Sequence, residues 1–410
     1  MLAYSWVILT AKMPPPFVDY PDWVYQGVLF HGVLTGHPFA GYILKSYPVP
    51  NSLTTVGLGL LDLLLPWQWA GKIWVVLYLA LATFSIWIIL RAFNIREWQP
   101  VVALPAILFL NLDFWYGHIS FEIGVCLVMV LLAMVKWNAP SIAIGAMLVL
   151  LFFTHMEACA GALLLLAIWC AITRHWRKLW GSIPAIMLTI WYTIARFSSG
   201  NADASGLTPD YPYGSPTFLI YKLNTFFKTF GYVNAHAQGG LSQSEEIFGK
   251  VLFLLLIGAS LIIAALCLWQ MLRLIGRARI DSSYQVIAIF VLALLAISTG
   301  LPQIWLGVAD PGSRLLLLAA AIGLVVIEWR RTAGTAIACL SVLFCVMNLW
   351  QFARVENNPQ MKGRSRDIPS ALVKYGHVEP VTRLVYYEKL ERKEMDEPIF
   401  PTGVFRQNLK

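Results

Sequence analysis

The chain is poor in charge. Of its 410 residues, 13% are Asp, Glu, Lys or Arg while 58% are hydrophobic, and mean hydropathy is +0.66. Water-soluble domains carry about 25% charged residues, so an ordinary cytosolic enzyme is excluded. No Cys-x-x-Cys pair is present. Cys126, Cys159, Cys170, Cys267, Cys339 and Cys345 stand singly in apolar stretches; neither a disulfide framework nor a zinc site is indicated, and all six are expected as small buried hydrophobes. Period-2 alternation is missing too, which argues against a transmembrane barrel, and no clear internal repeat is present. The 30 basic and 22 acidic residues leave a net charge of +8. That excess needs no nucleic acid partner, because short basic loops orient membrane segments.

What the chain does have is long runs of Leu, Ile, Ala and Val. A helix needs about 17 to 25 mostly apolar residues to cross a bilayer, with every backbone polar group satisfied inside it. Spans are predicted at about 70–91, 99–112, 115–136, 139–154, 157–173, 179–196, 250–273, 283–306, 312–328 and 333–353. Basic residues gather in alternate connections: Arg91 and Arg96; Lys136; Arg174, Arg177 and Lys178; Arg273, Arg277 and Arg279; Arg330 and Arg331. Those ends are expected to be cytoplasmic and the others extracytoplasmic. Parity then demands a crossing before residue 70, for which the sequence offers residues 1–11, a short stretch. Either the first helix tilts in a thinned bilayer, or the natural start lies upstream. A signal peptide is the alternative, but a basic n-region is missing and Lys12-Met13-Pro14-Pro15 makes a poor cleavage site.

The expected fold is therefore an all-α integral membrane protein, a polytopic bundle of about 11 transmembrane helices. A membrane domain at 1–353 carries outer loops at 12–69 and 197–249, and a soluble tail follows at 354–410, where VTRLVYYEKL has the pattern of a strand. In the first loop, residues 22–34 and 52–65 read as helices lying along the interface, with Asp22 placed to cap the first of them. Asp19 and Asp22 stand beside these apolar helices. A partly desolvated carboxylate there is suited to act as a general base, or else Asp22 only caps and Asp19 is solvated. Two carboxylates alone are a weak metal signal.

Further polar residues fall at the outer ends of spans. Asp113, Tyr116, His118 and Glu122 follow one another, with His118 and Glu122 four apart on one helix face. They either line a cavity or satisfy each other. His155 and Glu157 occupy the next outer turn. In Asp310-Pro311-Gly312-Ser313-Arg314, Arg314 opens a long apolar helix, where it either binds a phosphate beside free N–H groups or pairs with Asp310.

An acid after the first span, an amphipathic helix, Pro50-Asn51-Ser52 leading into a second, and a span ending in Arg91 together resemble the GT-C glycosyltransferase superfamily. The likeness is to the protein O-mannosyltransferase and lipid A aminoarabinose transferase type. It continues through LPAILFLNLDFWYGHISFEIGVCLVMVLLA and the Thr-His turn of LVLLFFTHMEACAGALLLL, covering roughly residues 15–175 in order. The resemblance implies inverting transfer of a sugar from a polyprenyl-phosphate carrier to a lipid, glycan or protein acceptor, on the outer face of a bacterial inner membrane. It implies Asp19, and second Asp22, as the base, with His118, Glu122, His155, Glu157 and Arg314 positioning carrier phosphate and acceptor. No cofactor is expected. The leaving group is a phosphate monoester, so a divalent cation is compatible but not required.

Two rivals stand beside it. A polysaccharide polymerase or ligase would keep its Arg and His in a large later loop, yet residues 197–249 hold only Lys222, Lys228 and His236. A non-catalytic lipid-linked-sugar transporter or assembly protein would show paired repeats or broken helices in two halves.

Overall fold

The computed structural model describes residues 1–11, 15, 17, 20–37, 42–96, 99–198, 213–231, 243–278, 281–305, 308–326, 331–357 and 405–407. Helices dominate: α1 Leu2–Thr10, α2 Tyr20–Leu34, α3 Ser52–Asp62, α4 Trp67–Ala92, α5 Gln99–Phe109, α6 Leu112–Tyr116, α7 Ile119–Lys136, α8 Ser141–Thr154 and α9 Met156–Thr173 come first. A 3-10 helix, Trp176–Ser182, leads to α10 Ile183–Ser198 and α11 Pro216–Gly231. Then follow α12 Gln243–Ala278, α13 Ser282–Gly300, α14 Pro311–Val325 and α15 Arg331–Asn357.

Every predicted span thus falls on a helix, but among the described residues five helices are long and apolar enough to cross a membrane: α4, α7, α9, α13 and Gly334–Arg354 of α15. Two of the others, α5 and α8, run short for identifiable reasons. Pro105 interrupts the hydrogen-bond ladder of α5, and α8 stops at Thr154 because His155 is extended, with φ −165° and ψ 126°. At 14 residues α8 reaches about 21 Å, less than the roughly 30 Å hydrocarbon core. Exposed Ile186, Met187, Ile190, Trp191 and Ile194 on α10 make an apolar face of the kind that water-soluble monomers seldom show.

Polar contacts separate the two ends of the bundle. At one end Lys136 donates to Ser283 Oγ (2.8 Å), lies 3.7 Å from Asp281 and faces the Phe93 ring. Lys178, at the same end, donates to the Ala139 carbonyl (3.0 Å). The start of α7, 18 residues and about 27 Å away along that helix, marks the opposite end. The basic connections that follow α4, α7, α9 and α12 are accordingly brought together at one end; Arg279 and Arg330 lie outside the described residues. Free Cys126, Cys159 and Cys170 are buried as expected, whereas on α15 Cys339 is exposed and Cys345 half-buried. The side chain of Cys267 lies outside the described residues.

The first loop holds helices where the sequence placed them, with one correction. Because α2 begins at Tyr20, Asp22 is its third residue and not the cap. The two helices run in the same direction, since Gly27 meets Leu58 while His31 reaches Asp62. They touch at glycine: a Cβ on Gly27 would lie 2.6 Å from Leu58 Cβ and 3.3 Å from the Gly59 nitrogen. Gln26 and Thr55 hydrogen-bond across the contact at 3.2 Å. The pair is tied to the bundle by Ser120 Oγ, which donates to Thr54 Oγ1 (2.7 Å), and by the Tyr20 hydroxyl on the Gly71 carbonyl. Lys72, buried, donates to the carbonyls of Leu9 and Ala11 at the end of α1.

Two small antiparallel sheets depart from the all-helical expectation. Strand β1, Tyr42–Leu44, pairs with β4, Phe405–Gln407, in the register Ile43 to Arg406; β2, Ile304–Trp305, pairs with β3, Val308–Ala309. The strand expected at VTRLVYYEKL lies outside the described residues.

Alanine at position 27 has no room without backbone movement, and overpacking typically costs about 1 to 3 kcal/mol. Gly27→Ala is expected to lower the thermal midpoint of the detergent-solubilised protein; an unchanged midpoint would show that α2 and α3 are not held in this contact.

Candidate functional site

The connection from α5 to α7 builds one wall of the site. Asn111 caps α6, its Oδ1 accepting from the Phe114 N–H at 3.0 Å while its amide donates to the Leu108 carbonyl. Gly117, at φ +81°, turns the chain so sharply that His118 N–H reaches the Asp113 carbonyl at 2.9 Å. The turn is pinned from α15, where Asn348 Oδ1 accepts from the Trp115 indole at 2.6 Å. Those bonds fix where Asp113 and His118 point.

His118 Nδ1 donates to Asp113 Oδ1 at 2.8 Å. Pairing of His118 with Glu122, one of the two alternatives their spacing left open, does not occur: His118 precedes the first turn of α7 and is drawn to Asp113. Arg314, in the first turn of α14, reaches into the same place. Its Nη1 donates to Glu157 Oε2 (3.3 Å), its Nε lies 3.8 Å from Asp113 Oδ1, and its Nη2 is 3.5 Å from the His118 ring nitrogens. A neutral imidazole protonated at Nδ1 fits both neighbours, donating to Asp113 and accepting from Arg314 at Nε2. The guanidinium also lies over the Phe121 ring, 5.9 Å from its centroid. Arg314 therefore does not pair with Asp310, which lies beside Tyr221 and Lys222.

His155 closes the site from the α8–α9 turn. As N-cap of α9 it accepts the Glu157 N–H at Nδ1 (3.3 Å), and its ring meets Phe121 edge to face at 5.2 Å. Burial, and then the charge of Arg314, hold its imidazole well below the ordinary histidine range. It stays neutral, as a cap that accepts must.

Glu122 faces Asp113, Tyr78 and Asn111 and is fully buried; neither of its oxygens has a hydrogen bond of normal geometry. Asp113 Oδ2, Glu157 Oε1 and Arg314 Nε are likewise buried without such a bond. The cluster thus holds three carboxylates against one guanidinium and two imidazoles, and the guanidinium keeps an N–H to offer. Burying that excess of acid is expensive unless a proton or a cation joins it. Among the described residues, no group of three or more His, Cys, Asp or Glu is placed to hold a metal ion.

His118, Glu122, His155, Glu157 and Arg314, singled out from the sequence, are thus brought into one cluster from three segments distant in the chain. Asp19 lies outside the described residues, as does the side chain of Asp22. The flanks of Asp19 are placed: Phe17 packs on Phe114 (4.4 Å) and Trp115 (5.6 Å), and Tyr20 lies next to Phe17. Tyr78, Asn111 and Asn348 escaped notice in the sequence, although a polar residue within an apolar span is itself a signal. An open groove of about 570 Å3 lies elsewhere, lined by His31, Thr35, Asp62, Leu64 and Trp67 at the far ends of α2 and α3; His31 and Asp62 are 2.6 Å apart within it.

Removing the guanidinium would strand Asp113 and Glu157, and breaking a buried pair in this way costs about 3 to 5 kcal/mol. Arg314→Gln is expected to lower the thermal midpoint sharply, and Arg314→Lys less so; equal stability of all three proteins would show that the cluster is not paired. For His155, the unfolded chain binds more protons than the folded one between its depressed value and about pH 6.5. Its contribution is present above that window and lost as pH falls through it. His155→Gln should flatten this part of the stability-against-pH curve. Searched against protein-family models, curated proteins and solved structures, the chain matches none.

Proposed function

We propose that the protein is a membrane glycosyltransferase of GT-C type, moving a sugar from a polyprenyl-phosphate carrier to a lipid, glycan or protein acceptor. The observation that carries this reading is the Arg314 guanidinium: it is buried at one end of an apolar bundle, with an unused Nε, among Asp113, His118, Glu157 and His155. A phosphate is the anion that a guanidinium fork recognises best. A polyprenyl tail finds its solvent in the bilayer beside the bundle.

In the transfer, the acceptor hydroxyl attacks the anomeric carbon while the carbon–oxygen bond to the carrier phosphate breaks. The hydroxyl proton passes to a carboxylate, for which Asp19 is the first choice and Asp22 the second. Phe17 and Tyr20 bring the flanks of residue 19 against the α6 turn that carries Asp113, which favours Asp19. Arg314 takes the charge developing on the departing phosphate. Asp113 orients His118, and His155 holds Glu157 in place through the start of α9. The excess acid of the cluster opposes an anionic donor, so binding is expected to bring in protons or a divalent cation along with the carrier. The outer face follows from the loop charges.

The test is transfer by the purified protein in vesicles, from polyprenyl-phosphate sugars bearing a radiolabel. Asp19→Asn is expected to lower kcat by about a hundredfold or more, the scale of a lost general base. Arg314→Lys should lower it by a similar factor while the protein still folds. Full activity in Asp19→Asn would remove that residue as the base, full activity in Arg314→Lys would remove the guanidinium as the phosphate's partner, and no transfer by the wild-type protein from these carriers would remove the transferase reading.

A further inference from the structure

The 3-10 helix Trp176–Ser182, at the basic end of the bundle, is built unlike the other connections. Lys178 turns inward and caps the Ala139 carbonyl (3.0 Å), while Ser141 Oγ donates to the Arg177 carbonyl (2.9 Å). Gly181 presses on α8 so closely that a Cβ there would lie 2.5 Å from the Ser141 oxygen, and one on Gly145 would lie 2.9 Å from the Gly181 oxygen. The backbone is therefore clamped. With Lys178 spent inside, the remaining cations and indoles face out: Arg174, Arg177, Trp176 and Trp180 are all exposed, Trp180 at 70%.

Among the described residues neither Arg174 nor Arg177 pairs with a carboxylate, whereas Lys136 and Arg314 do. Two unpaired guanidinium groups on a rigid turn, flanked by two indoles, match the boundary layer of a bilayer. Indoles settle at headgroup depth. Guanidinium forks bind phosphodiesters through paired hydrogen bonds, and a fixed backbone spares the ordering cost of doing so.

We infer that this turn is a binding site for the headgroups of anionic phospholipids, holding the basic end of the bundle at the membrane surface. The occupant is lipid and not a soluble anion, because the indoles on the same turn need an apolar neighbour and the arginines need a phosphate at the same depth. The inference is independent of what chemistry the opposite end performs.

The experiment uses the full chain in nanodiscs made from equal parts phosphatidylglycerol and phosphatidylcholine, released into detergent, with retained lipids counted by native mass spectrometry. Wild type is expected to retain phosphatidylglycerol in preference. R174Q/R177Q should lower that preference by about fivefold for each arginine removed, the factor associated with one basic residue near an anionic surface. R174K/R177K should keep part of it, and W176A/W180A should lower retention of both lipids. R91Q/R96Q, at the same end but on and just after α4, should lower the preference clearly less. The site is overturned if R174Q/R177Q matches wild type, or if R91Q/R96Q lowers the preference equally, which would mean diffuse charge and no built site.

Discussion

The guanidinium of Arg314 is the group on which the arrangement at this end of the bundle depends. A bilayer protein has no water inside to receive a stray charge, so each buried ionic group must find its counterpart in the protein. Here one cation reaches carboxylates from two other segments, Asp113 before α7 and Glu157 at the start of α9, and an imidazole oriented by one of them. That requirement fixes the approach of α14 to α7 and α9 more tightly than Leu and Ala packing would, since apolar side chains slide past one another at little cost. Gly161 shows the resulting closeness: a Cβ there would lie 2.7 Å from Leu318 of α14.

Lysine is used differently. Lys72, Lys178 and Lys222 each donate to main-chain carbonyls at the ends of structural elements, on Leu9 and Ala11, on Ala139, and on Ser298 and Leu301. Helix C-termini leave carbonyls without partners, and an ammonium satisfies them while complementing the negative end of the dipole. Charge in this chain is scarce, and these three lysines are spent on holding helix ends. Arg174 and Arg177 are exceptions, which is why they stand out on the surface.

Helix positions were legible from the sequence because long apolar runs have few alternatives in lipid. Their lengths were less so. Asn94, Asn138 and Arg174 each enter the left-handed region just after a helix, at φ 55°, 61° and 64°, and nothing in hydropathy marks such stops. The separation of basic from neutral ends was readable from Lys and Arg alone. Of the polar cluster, the membership of His118, Glu122, His155, Glu157 and Arg314 could be read from ionisable residues near span ends, but their pairing could not. Sequence spacing could offer only His118 with Glu122 and Asp310 with Arg314 as local pairs beside their alternative roles; the partners chosen lie 5 residues away for His118 and 157 for Arg314. Asn348 illustrates the remainder: its bond to Trp115 joins residues 233 apart, and no local pattern contains that information.

The pairing of β1 with β4 joins residues near 43 to residues near 406. During synthesis the first loop leaves the ribosome long before its partner strand exists, and every helix between them must already have been inserted when residues 405–407 emerge. This small sheet is consequently among the last contacts to close, a joint completed after translation has passed the whole membrane domain. A reporter placed at residues 405–407 would then sit beside the opening loop.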